Sequence, residues 1–479
     1  MRVGIIGAGP AGITAGHLLS KAGVQVEVFE AGDAVGGLSR TIEMWGQKVD
    51  LGPHRFFSQA PRVNSVWLDV VGNDYRMIDR LTRVYYQDRF FHYPLKPANA
   101  LWNMGIANAF CCLTSYLKER IRPSFSADEP ETFETWVVSR FGRRLFDMFF
   151  KSYSEKLWGI PCDQLDADFA AQRIKKFSLG EALKAALGLG GSEHKTLVDQ
   201  FAYPIGGTGM VYERMAERIE KAGGAVHLNA PIRRVLHHDK EVHALELADG
   251  RIEPFDHVIS TMPLTLLVRG LGDLPAEVEH GVNQLRFRNT ILVYLNVDHT
   301  DLFGDQWLYV HSPELGMGRV TNFRNWVPEL YGGEETSILA LEYWCYDEDP
   351  LWRDDDEHLI DLAEREIRST GLVGAAQIVA GHVHRIRRCY PVYSRGYKQH
   401  LTPVIEHLRQ YRNLQAIGRY GAFKYNNQDH SILMGILASE NILDGRDHDL
   451  WAVNTDSEYQ ESATITKAGL ERQPAPVYV

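Results

Sequence analysis

Cysteine is scarce in this sequence, and long apolar runs are missing. The five cysteines among 479 residues form no C-x-x-C pair and no metal-ligand spacing, so neither a disulfide framework nor a zinc site is expected. They are Cys111, Cys112, Cys162, Cys345 and Cys389. No apolar stretch approaches the roughly 20 residues of a membrane span, and the first residues lack a basic leader pattern. We therefore expect a reduced, cytoplasmic protein with no metal and no membrane span.

Basic residues are also few relative to acidic ones. With 62 Asp and Glu against 51 Lys and Arg, the formal net charge is -11. Such a charge repels nucleic acid over most of the surface, so a nucleic-acid partner is not expected. A ligand that carries phosphate must therefore bind in a local basic pocket.

The first thirty residues have the pattern of a β-α-β unit that binds a dinucleotide. The predicted strand, helix and strand cover residues 2–6, 13–22 and 24–30. Between the first strand and the helix, Gly7, Gly9 and Gly12 form G-x-G-x-x-G, with Pro10 and Ala11 inside it. This turn lets backbone N–H groups approach a pyrophosphate closely. Glu30 ends the second strand, where an acid binds the ribose hydroxyls of the adenosine.

A second glycine pair selects among dinucleotides. Gly36 and Gly37 follow the acid at a short distance and precede Leu38. Glycine here lets the backbone approach the flavin side of a cofactor, which favours FAD over NAD. No Cys or His stands in an evident flavinylation motif, so the FAD is expected to be bound non-covalently.

Periodicity along the rest of the chain predicts an α/β protein with a discontinuous, Rossmann-like FAD-binding domain. The remaining parts are a helical insertion, a mainly antiparallel substrate region and a polar surface tail. The FAD-binding segments are predicted at 1–60, 203–265 and 410–450, and the insertion at 97–200 with a mobile loop near 178–200. The substrate region is predicted at 61–96 and 266–409, and the tail at 451–479. A D-G pair at 249–250 predicts a turn between two strands.

Several longer motifs follow one another in an order that resembles the UDP-galactopyranose mutases. They include D-L-G-P-H-R-F-F-S from Asp50, F-F-H-Y-P from Phe90, Y-S-E-K-L-W-G-I-P from Tyr153, W-L-Y from Trp307 and G-R-Y-G-A-F-K-Y-N-N-Q-D-H-S from Gly418. The mutases belong to a larger group of flavoproteins that includes protoporphyrinogen and amine oxidases. The sequence departs from the mutases at Gly52-Pro53, where a glycine pair is usual, and in the loop 178–201.

The resemblance implies roles for individual residues. It places His54 beside the flavin ring and makes His54, Arg173 and Arg319 the catalytic candidates. Further cofactor contacts would come from Gly52, Arg419, Asn427, Gln428, Asp429 and Ser431. The substrate-binding candidates are Tyr93, Tyr153, Trp158, Arg173, Trp307, Tyr309, Arg319, Tyr390, Arg419 and Tyr425. Arginine forks and phenol hydroxyls both donate to phosphate oxygens, so Arg319 is expected to bind a diphosphate rather than to stabilise the fold.

The residues by themselves leave alternatives open. His54 could be a packed histidine, Tyr153 and Trp158 could be core aromatics, and either Arg319 or Arg419 could form a surface salt bridge.

The function implied by the resemblance is the interconversion of pyranose and furanose forms of a nucleotide sugar, with a UDP-sugar favoured. Reduced FAD would act through N5 as nucleophile at the anomeric carbon, and NADPH or NADH is a candidate reductant. Such an enzyme serves the biosynthesis of cell-surface polysaccharide, and a homo-oligomer is a candidate assembly. One alternative is an FAD-dependent oxidoreductase acting on a small molecule. Another is a non-catalytic protein that binds a flavin or a nucleotide sugar.

Overall fold

A five-stranded parallel sheet forms the centre of the first layer. The computed structural model describes residues 1–93, 97–121, 131–169 and 200–454. The strands lie in the order Leu414–Ala416, His257–Ser260, Arg2–Ile6, Gln25–Phe29 and Ala225–His227, and all neighbours are parallel. Parallel strands require crossover connections, and helices supply them here. The α/β class and the β-α-β unit at the start of the chain are confirmed.

Four helices cover this sheet. They are Pro10–Lys21, Pro61–Val71, Gly209–Lys221 and Gln428–Leu443, which share one apolar core with the strands. The first begins three residues before the predicted start because Pro10 occupies its first turn, where the missing N–H is no loss. A Cβ on Gly435 would lie 2.7 Å from the carbonyl oxygen of Ala11, so glycine permits the close approach of the first and last of these helices.

Helix Pro61–Val71 packs with the parallel sheet, although residues 61–96 are predicted to belong to the substrate region. Val63, Trp67 and Val71 are buried in the same core as the nucleotide-binding strands. The indole of Trp67 stacks on Phe56 with ring centres 4.2 Å apart. This helix is therefore tied to the first layer by its contacts, and the division of the chain into domains stays a prediction.

A seven-stranded sheet forms the second layer. Its order is Ile378–Pro391, Phe287–Val297, Ser337–Cys345, Arg319–Asn322, Trp307–Val310, Thr82–Tyr86 and Arg89–His92. All neighbours are antiparallel except Trp307–Val310 and Thr82–Tyr86, which are parallel. Both faces of the central strands are buried, one of them under helix Asp356–Ser369. These strands are therefore almost continuously apolar rather than alternating.

The described residues also form three smaller sheets. A three-stranded antiparallel sheet consists of Ile232–His238, Glu241–Leu247 and Ile252–Pro254, and its predicted turn is present with Gly250 at a φ of +92°. Two ribbons pair Thr41–Met44 with Gln47–Asp50 and Tyr75–Asp79 with Gln200–Pro204. The second ribbon returns the chain from the helical insertion to the parallel sheet.

Short helices make up the described part of the insertion. They are Pro97–Met104, Ile106–Ile121, Phe133–Phe141, Arg143–Phe146, the π-helical turn Asp147–Lys151 and Ser152–Trp158. The helical stretch predicted from Phe133 to Trp158 breaks at Gly142, which has a φ of +84° and where a Cβ would lie 2.7 Å from the backbone nitrogen of Tyr116. Arg173 and most of the predicted mobile loop lie outside the described residues.

Six further α-helices are described. They are Leu264–Gly270, Ala276–Gln284, Pro328–Tyr331, Pro350–Arg353, Tyr397–Arg409 and Gly418–Gly421. In the ranges that the structure covers, no helix has the length and apolar character to cross a bilayer.

Two residues near the start of the predicted tail do not lie on the surface. Val453 and Asn454 are buried. Asn454 donates to the carbonyl oxygen of Tyr425 and to Oδ1 of Asn426, at 3.1 and 2.9 Å. Lys424 donates in turn to the carbonyls of residues 451 and 453. The prediction of a surface tail is wrong for Val453 and Asn454. The chain after the last long helix folds back here and hydrogen-bonds with residues 424–426.

Candidate functional site

A cavity of about 520 Å³ opens where the strands of the parallel sheet end. Gly7, Glu30, Thr261 and Gly418 line it, and each comes directly or almost directly after one of four adjacent strands. Ligands of open α/β sheets bind outside the carboxyl ends of the strands. The cavity also falls within the size range of cofactor and ligand pockets.

The first wall of the cavity, here called the glycine wall, consists mainly of backbone. Gly7 has a φ of +96°, and a Cβ there would lie 2.1 Å from Oγ1 of Thr261. A Cβ on Gly12 would lie 2.1 Å from the carbonyl oxygen of Gly7, so Gly12 allows the turn to close without lining the cavity. At Gly9, by contrast, the nearest atom to a Cβ would be 3.9 Å away, and this residue faces open space.

The second glycine pair packs on the first turn. The N–H of Gly36 donates to the carbonyl of Ala8 at 2.9 Å. A Cβ on Gly37 would lie 3.1 Å from Cα of Gly9. Gly37 and Leu38, two of the predicted cofactor contacts, line the cavity, whereas Gly36 does not.

Glu30 joins these two turns. Its Oε2 accepts from the N–H of Ala8 at 2.8 Å, and its Oε1 accepts from the N–H of Gly32 at 2.9 Å. A carboxylate has roughly four acceptor positions, so these two bonds leave capacity for the hydroxyls of a ribose. The residue lines the cavity, which is compatible with its predicted role.

Two long helices begin at the glycine wall. Gly9 is the N-cap of helix Pro10–Lys21, and Asn427 is the N-cap of helix Gln428–Leu443. The first N–H groups of a helix lack internal partners and attract anions such as a pyrophosphate. Gly9 has no side chain and faces open space, so a ligand can approach the backbone donors of this wall directly. The residues present therefore fit an FAD diphosphate.

The predicted residues near the second helix also reach the cavity. Those that line it are Asn427, Gln428, Asp429 and Ser431. The side chain of Gln428 accepts from the hydroxyl of Tyr212 at 2.6 Å and donates to the carbonyl of His54 at 3.4 Å. Gln428 therefore links the last helix to the segment that contains the predicted catalytic histidine.

His54 lines the cavity between the two layers. Its Nδ1 is buried and has no hydrogen-bond partner among the described residues. Burial, followed by the charges of Arg319 and Arg419, lowers the pKa of His54 to about 3. The imidazole is therefore neutral near pH 7, and it can offer one N–H donor and one acceptor nitrogen to a bound group. Gly52 does not line the cavity, but a Cβ on it would lie 3.6 Å from this ring.

A second set of lining residues, here called the arginine wall, consists of side chains. Its predicted members are Tyr93, Trp307, Tyr309, Arg319, Arg419 and Tyr425, and all six line the cavity. They come from both layers and from segments more than three hundred residues apart. The structure thus brings together six of the ten predicted substrate residues.

Three further candidates lie behind this wall. Tyr390 stacks under Tyr425 with ring centres 5.5 Å apart. Tyr153 contacts Tyr309 edge-on at 5.6 Å, and Trp158 is fully buried beside Tyr425. None of the three lines the cavity, and their substrate role stays a prediction.

Arg419 is held by its surroundings in a fixed orientation. Its guanidinium lies over the rings of Tyr390 and Tyr425, at 4.5 and 4.4 Å from their centres. Nε donates to the carbonyl of Cys389 and Nη1 to that of Asn426, at 2.9 and 3.1 Å. Nη2 is buried and has no partner among the described residues. A buried guanidinium N–H without a partner is costly, so this atom is a strong candidate for contact with a bound anion.

Arg319 has a second, structural role that the sequence pattern does not indicate. Nε and Nη2 donate to the two carboxylate oxygens of Glu342, at 2.6 and 2.5 Å, and Glu342 is buried. Burial by itself would lower the pKa of Arg319, but the charge of Glu342 raises it overall. The contacts with Glu342 use Nε and Nη2, which leaves Nη1 for a ligand. The ion pair does not fit the expectation that Arg319 contributes little to the fold, because its loss would leave a buried carboxylate unpaired.

Glu342 and Arg55 are site residues that sequence reasoning missed. Glu342 is the one charged residue in strand Ser337–Cys345, and an ionisable group in such an apolar run is a signal that could have been used. Arg55 lines the cavity with its guanidinium 5.9 Å from the ring centre of Trp307. Arg55 directly follows His54 in the motif D-L-G-P-H-R-F-F-S, so its position alone suggested that it lies near the site.

The fold and the two walls define a flavoprotein. Residues 10–443 match the model of the flavin containing amine oxidoreductases, and the chain belongs to this family. FAD is the cofactor that the family and the glycine wall support. The structure is also similar to that of a reduced UDP-galactopyranose mutase, with a TM-score of 0.80 and 22% identity over 93% of this chain and 96% of the other. At this identity the likeness establishes the fold that the two proteins share.

Two curated relatives point to different activities. A protein of Klebsiella pneumoniae named "Probable UDP-galactopyranose mutase" is 27% identical over 186 residues, which are 36% of this chain and 45% of that protein. The match thus spans less than half of that relative. The coproporphyrinogen III oxidase of Mycobacterium tuberculosis (strain ATCC 25618 / H37Rv) is 22% identical over 418 residues, which are 82% of this chain and 87% of that protein.

Proposed function

We propose that the protein is a flavin-dependent mutase that interconverts the pyranose and furanose forms of a nucleotide sugar, with a UDP-sugar as the favoured substrate. The observation that carries this proposal is the continuity of the cavity. Gly9 and Glu30, which fit FAD, share it with Arg319 and Arg419, which suit a second diphosphate. An apolar substrate or an amine would leave these two guanidinium groups without a partner, whereas a phosphate or another anionic group would bind them.

The residues of the arginine wall would hold the substrate by its diphosphate. Arg419 offers the N–H groups of Nη2, and Arg319 offers those of Nη1, so each can donate to a phosphate oxygen. Tyr309 and Tyr425 line the cavity beside these two groups and can add hydroxyl donors. This binding would fix the sugar in front of the flavin without any proton transfer from the arginines.

His54 would act on the cofactor side. Because its imidazole is neutral, it can hydrogen-bond to the flavin ring or to a sugar hydroxyl without adding a positive charge. Bound and reduced, FAD would supply the nucleophile, its N5 atom, for the anomeric carbon. The proposed cofactor is non-covalent, and NADPH or NADH is the proposed reductant. Arg173, the third predicted catalytic residue, lies outside the described residues and stays a prediction.

An oxidoreductase is the second candidate function. The family description and the coproporphyrinogen III oxidase relative favour it, because that match extends over most of the chain. The two candidates differ in their use of electrons. A mutase is redox-neutral, whereas an oxidoreductase reduces its flavin once per substrate and needs an acceptor.

The test is an anaerobic assay with the flavin-loaded protein. The enzyme is reduced with dithionite and mixed with an excess of UDP-sugars, while flavin absorbance and the ring-isomer ratio are recorded together. The proposal expects many turnovers without further consumption of reductant, and no turnover by oxidised enzyme. If substrates bleach the oxidised flavin and the reduced enzyme forms no ring isomer, the protein is an oxidoreductase and the mutase proposal fails.

A further inference from the structure

Helix Ile106–Ile121 turns an apolar side towards solvent. Phe110, Leu113, Leu117 and Ile121 are 65, 37, 49 and 83% exposed. Their spacing of three and four residues places them on one stripe of the helix. Cys112, on the other side of the helix, is buried in the core of the insertion. The helix is therefore packed by one face and exposes a second apolar face, here called the apolar stripe.

The preceding helix adds to this surface. Leu101 and Trp102 of helix Pro97–Met104 are 50 and 87% exposed, and only Gly105 separates the two helices. Together with the apolar stripe they make six of the thirteen large apolar side chains that are exposed among the described residues. A soluble surface usually scatters such side chains singly, so their concentration here indicates a binding surface.

Basic side chains flank the apolar stripe. At 100° per residue, Lys118 and Arg120 project on opposite sides of the line through Leu117 and Ile121, and both are exposed. The single acid of this helix, Glu119, lies towards the packed face and is half-buried. The local sign of charge is thus opposite to the formal net charge of -11. Long basic side chains beside an apolar stripe can reach lipid phosphates while the stripe enters the acyl region.

We propose that the apolar stripe, with Leu101 and Trp102, is a docking surface for an anionic lipid bilayer. Helix Ile106–Ile121 would lie in the plane of the membrane, since its 16 residues span only about 24 Å and carry cations in the last turn. Trp102 suits the headgroup region, where an indole contacts both water and lipid. In a symmetric contact of this helix a second copy would present Lys118 and Arg120 again, while Glu119 lies towards the packed face, so the described helix offers these cations no counter-charge. The surface would hold the enzyme at a membrane without inserting a span.

The test is co-sedimentation of the full-length, flavin-loaded protein with vesicles. Vesicles of phosphatidylcholine with phosphatidylglycerol are compared with vesicles of pure phosphatidylcholine. The double variant Phe110→Ser/Leu117→Ser removes apolar area, and Ile252→Ser is the matched control because Ile252 is 58% exposed on a distant strand. Because moving each large apolar side chain out of water contributes a factor of about 10 or more, the double variant should lose at least about tenfold in partitioning.

The charge arm uses the same vesicles. Lys118→Gln should weaken binding to the anionic vesicles by about fivefold, since a basic residue near such a surface is worth about 1 kcal/mol. The proposal is overturned if the wild type stays in the supernatant with both vesicle types, or if the double variant binds as well as the wild type. If the wild type instead self-associates in sedimentation equilibrium without binding vesicles, and the double variant does not, the surface is an interface between copies.

Discussion

The two walls of the cavity present different kinds of groups to a ligand. The glycine wall presents backbone N–H groups in turns that close because Gly7, Gly12 and Gly37 have no side chains. The arginine wall presents the side chains of Arg319 and Arg419, which are oriented by a buried carboxylate and by tyrosine rings. We therefore expect the glycine wall to lose cofactor binding when a side chain is added to it. The arginine wall should instead lose stability or ligand binding when one of its side chains is removed.

The largest effect should come from adding a side chain to the glycine wall. In Gly9→Val the extra atoms project into the cavity, because a Cβ at Gly9 meets nothing closer than 3.9 Å. We expect near-complete loss of bound flavin with little change in protein stability, since the pyrophosphate can no longer approach the backbone. Flavin absorbance per chain and the melting temperature of the apoprotein measure the two effects.

The matched control for this substitution is Gly333→Val. Gly333 also has no atom within 4 Å of a Cβ, but it does not line the cavity. This variant should keep its flavin. A Gly9→Val protein that is as yellow as the wild type would show that the wall does not contact the pyrophosphate.

The arginine wall should lose stability when its buried ion pair is broken. Arg319→Met leaves Glu342 buried without its partner, which should cost about 3 to 5 kcal/mol in the free energy of unfolding. The double variant Arg319→Met/Glu342→Leu should recover most of this stability but not substrate binding, because the donor for phosphate is still missing. Denaturant unfolding of the flavin-loaded protein measures the difference.

Arg251→Met is the control for the broken pair. Arg251 pairs with Asp249 on the surface, where both side chains are more than half exposed. Its loss should cost no more than about 1 kcal/mol. Equal costs for the Arg319 and Arg251 variants would mean that the Glu342 carboxylate is not held in a water-poor site.

Arg419 should affect the ligand more than the fold. Arg419→Lys keeps the charge but loses the fork that reaches two carbonyls and a ligand at once. We expect binding of UDP to the flavin-loaded protein to weaken by about 1.5 to 3 kcal/mol, as for the loss of a hydrogen bond to a charged group. Titration calorimetry gives this value. Unchanged affinity for UDP would remove Arg419 from the substrate site.

The smallest effect concerns the pH dependence of stability. Burial lowers the pKa of His54 to about 3, whereas an unfolded histidine titrates near 6.5. Below about pH 6.5 the unfolded chain therefore binds a proton that the folded protein does not, so stability falls as the pH drops towards 3. His54→Asn should remove up to about 1.4 kcal/mol per pH unit from this fall.

The measurement is unfolding free energy between pH 7 and about 5.5, a window near the unfolded pKa. The exposed His238 provides the control His238→Asn, which should keep the wild-type dependence. If His54→Asn also follows the wild type, the imidazole is more accessible to protons than its burial indicates.

Local sequence was sufficient to predict the turn of the glycine wall but not the ion pair of the arginine wall. Gly7, Gly9 and Glu30 lie within one short segment, and their spacing alone predicts the turn that the structure contains. The pairing of Arg319 with Glu342 depends on the register of two adjacent strands, where these residues lie directly opposite each other. Without strand order and register, nothing in either residue's own segment identifies its partner.

Other differences have equally local physical causes. The predicted helix breaks at Gly142, where the backbone lies close to that of Tyr116 in a neighbouring helix. Hydrophobic periodicity does not detect such a contact. Asn454 is polar and close to the chain's last residues, so composition favours the surface, yet it is buried by its bonds to Tyr425 and Asn426. In both places a tertiary contact decides the local structure.

The strand order of the parallel sheet also affects when the cofactor can bind during protein synthesis. Strand Arg2–Ile6 leaves the ribosome long before its neighbour His257–Ser260 and the next strand, Leu414–Ala416. At a translation rate of about 5 to 20 residues per second, the helix that begins at Gln428 appears about 20 to 90 seconds after the first strand. During that time the glycine turn has Glu30 and Gly37 beside it but lacks Thr261 and Gly418, so the cavity is complete only after the last of these segments has been made.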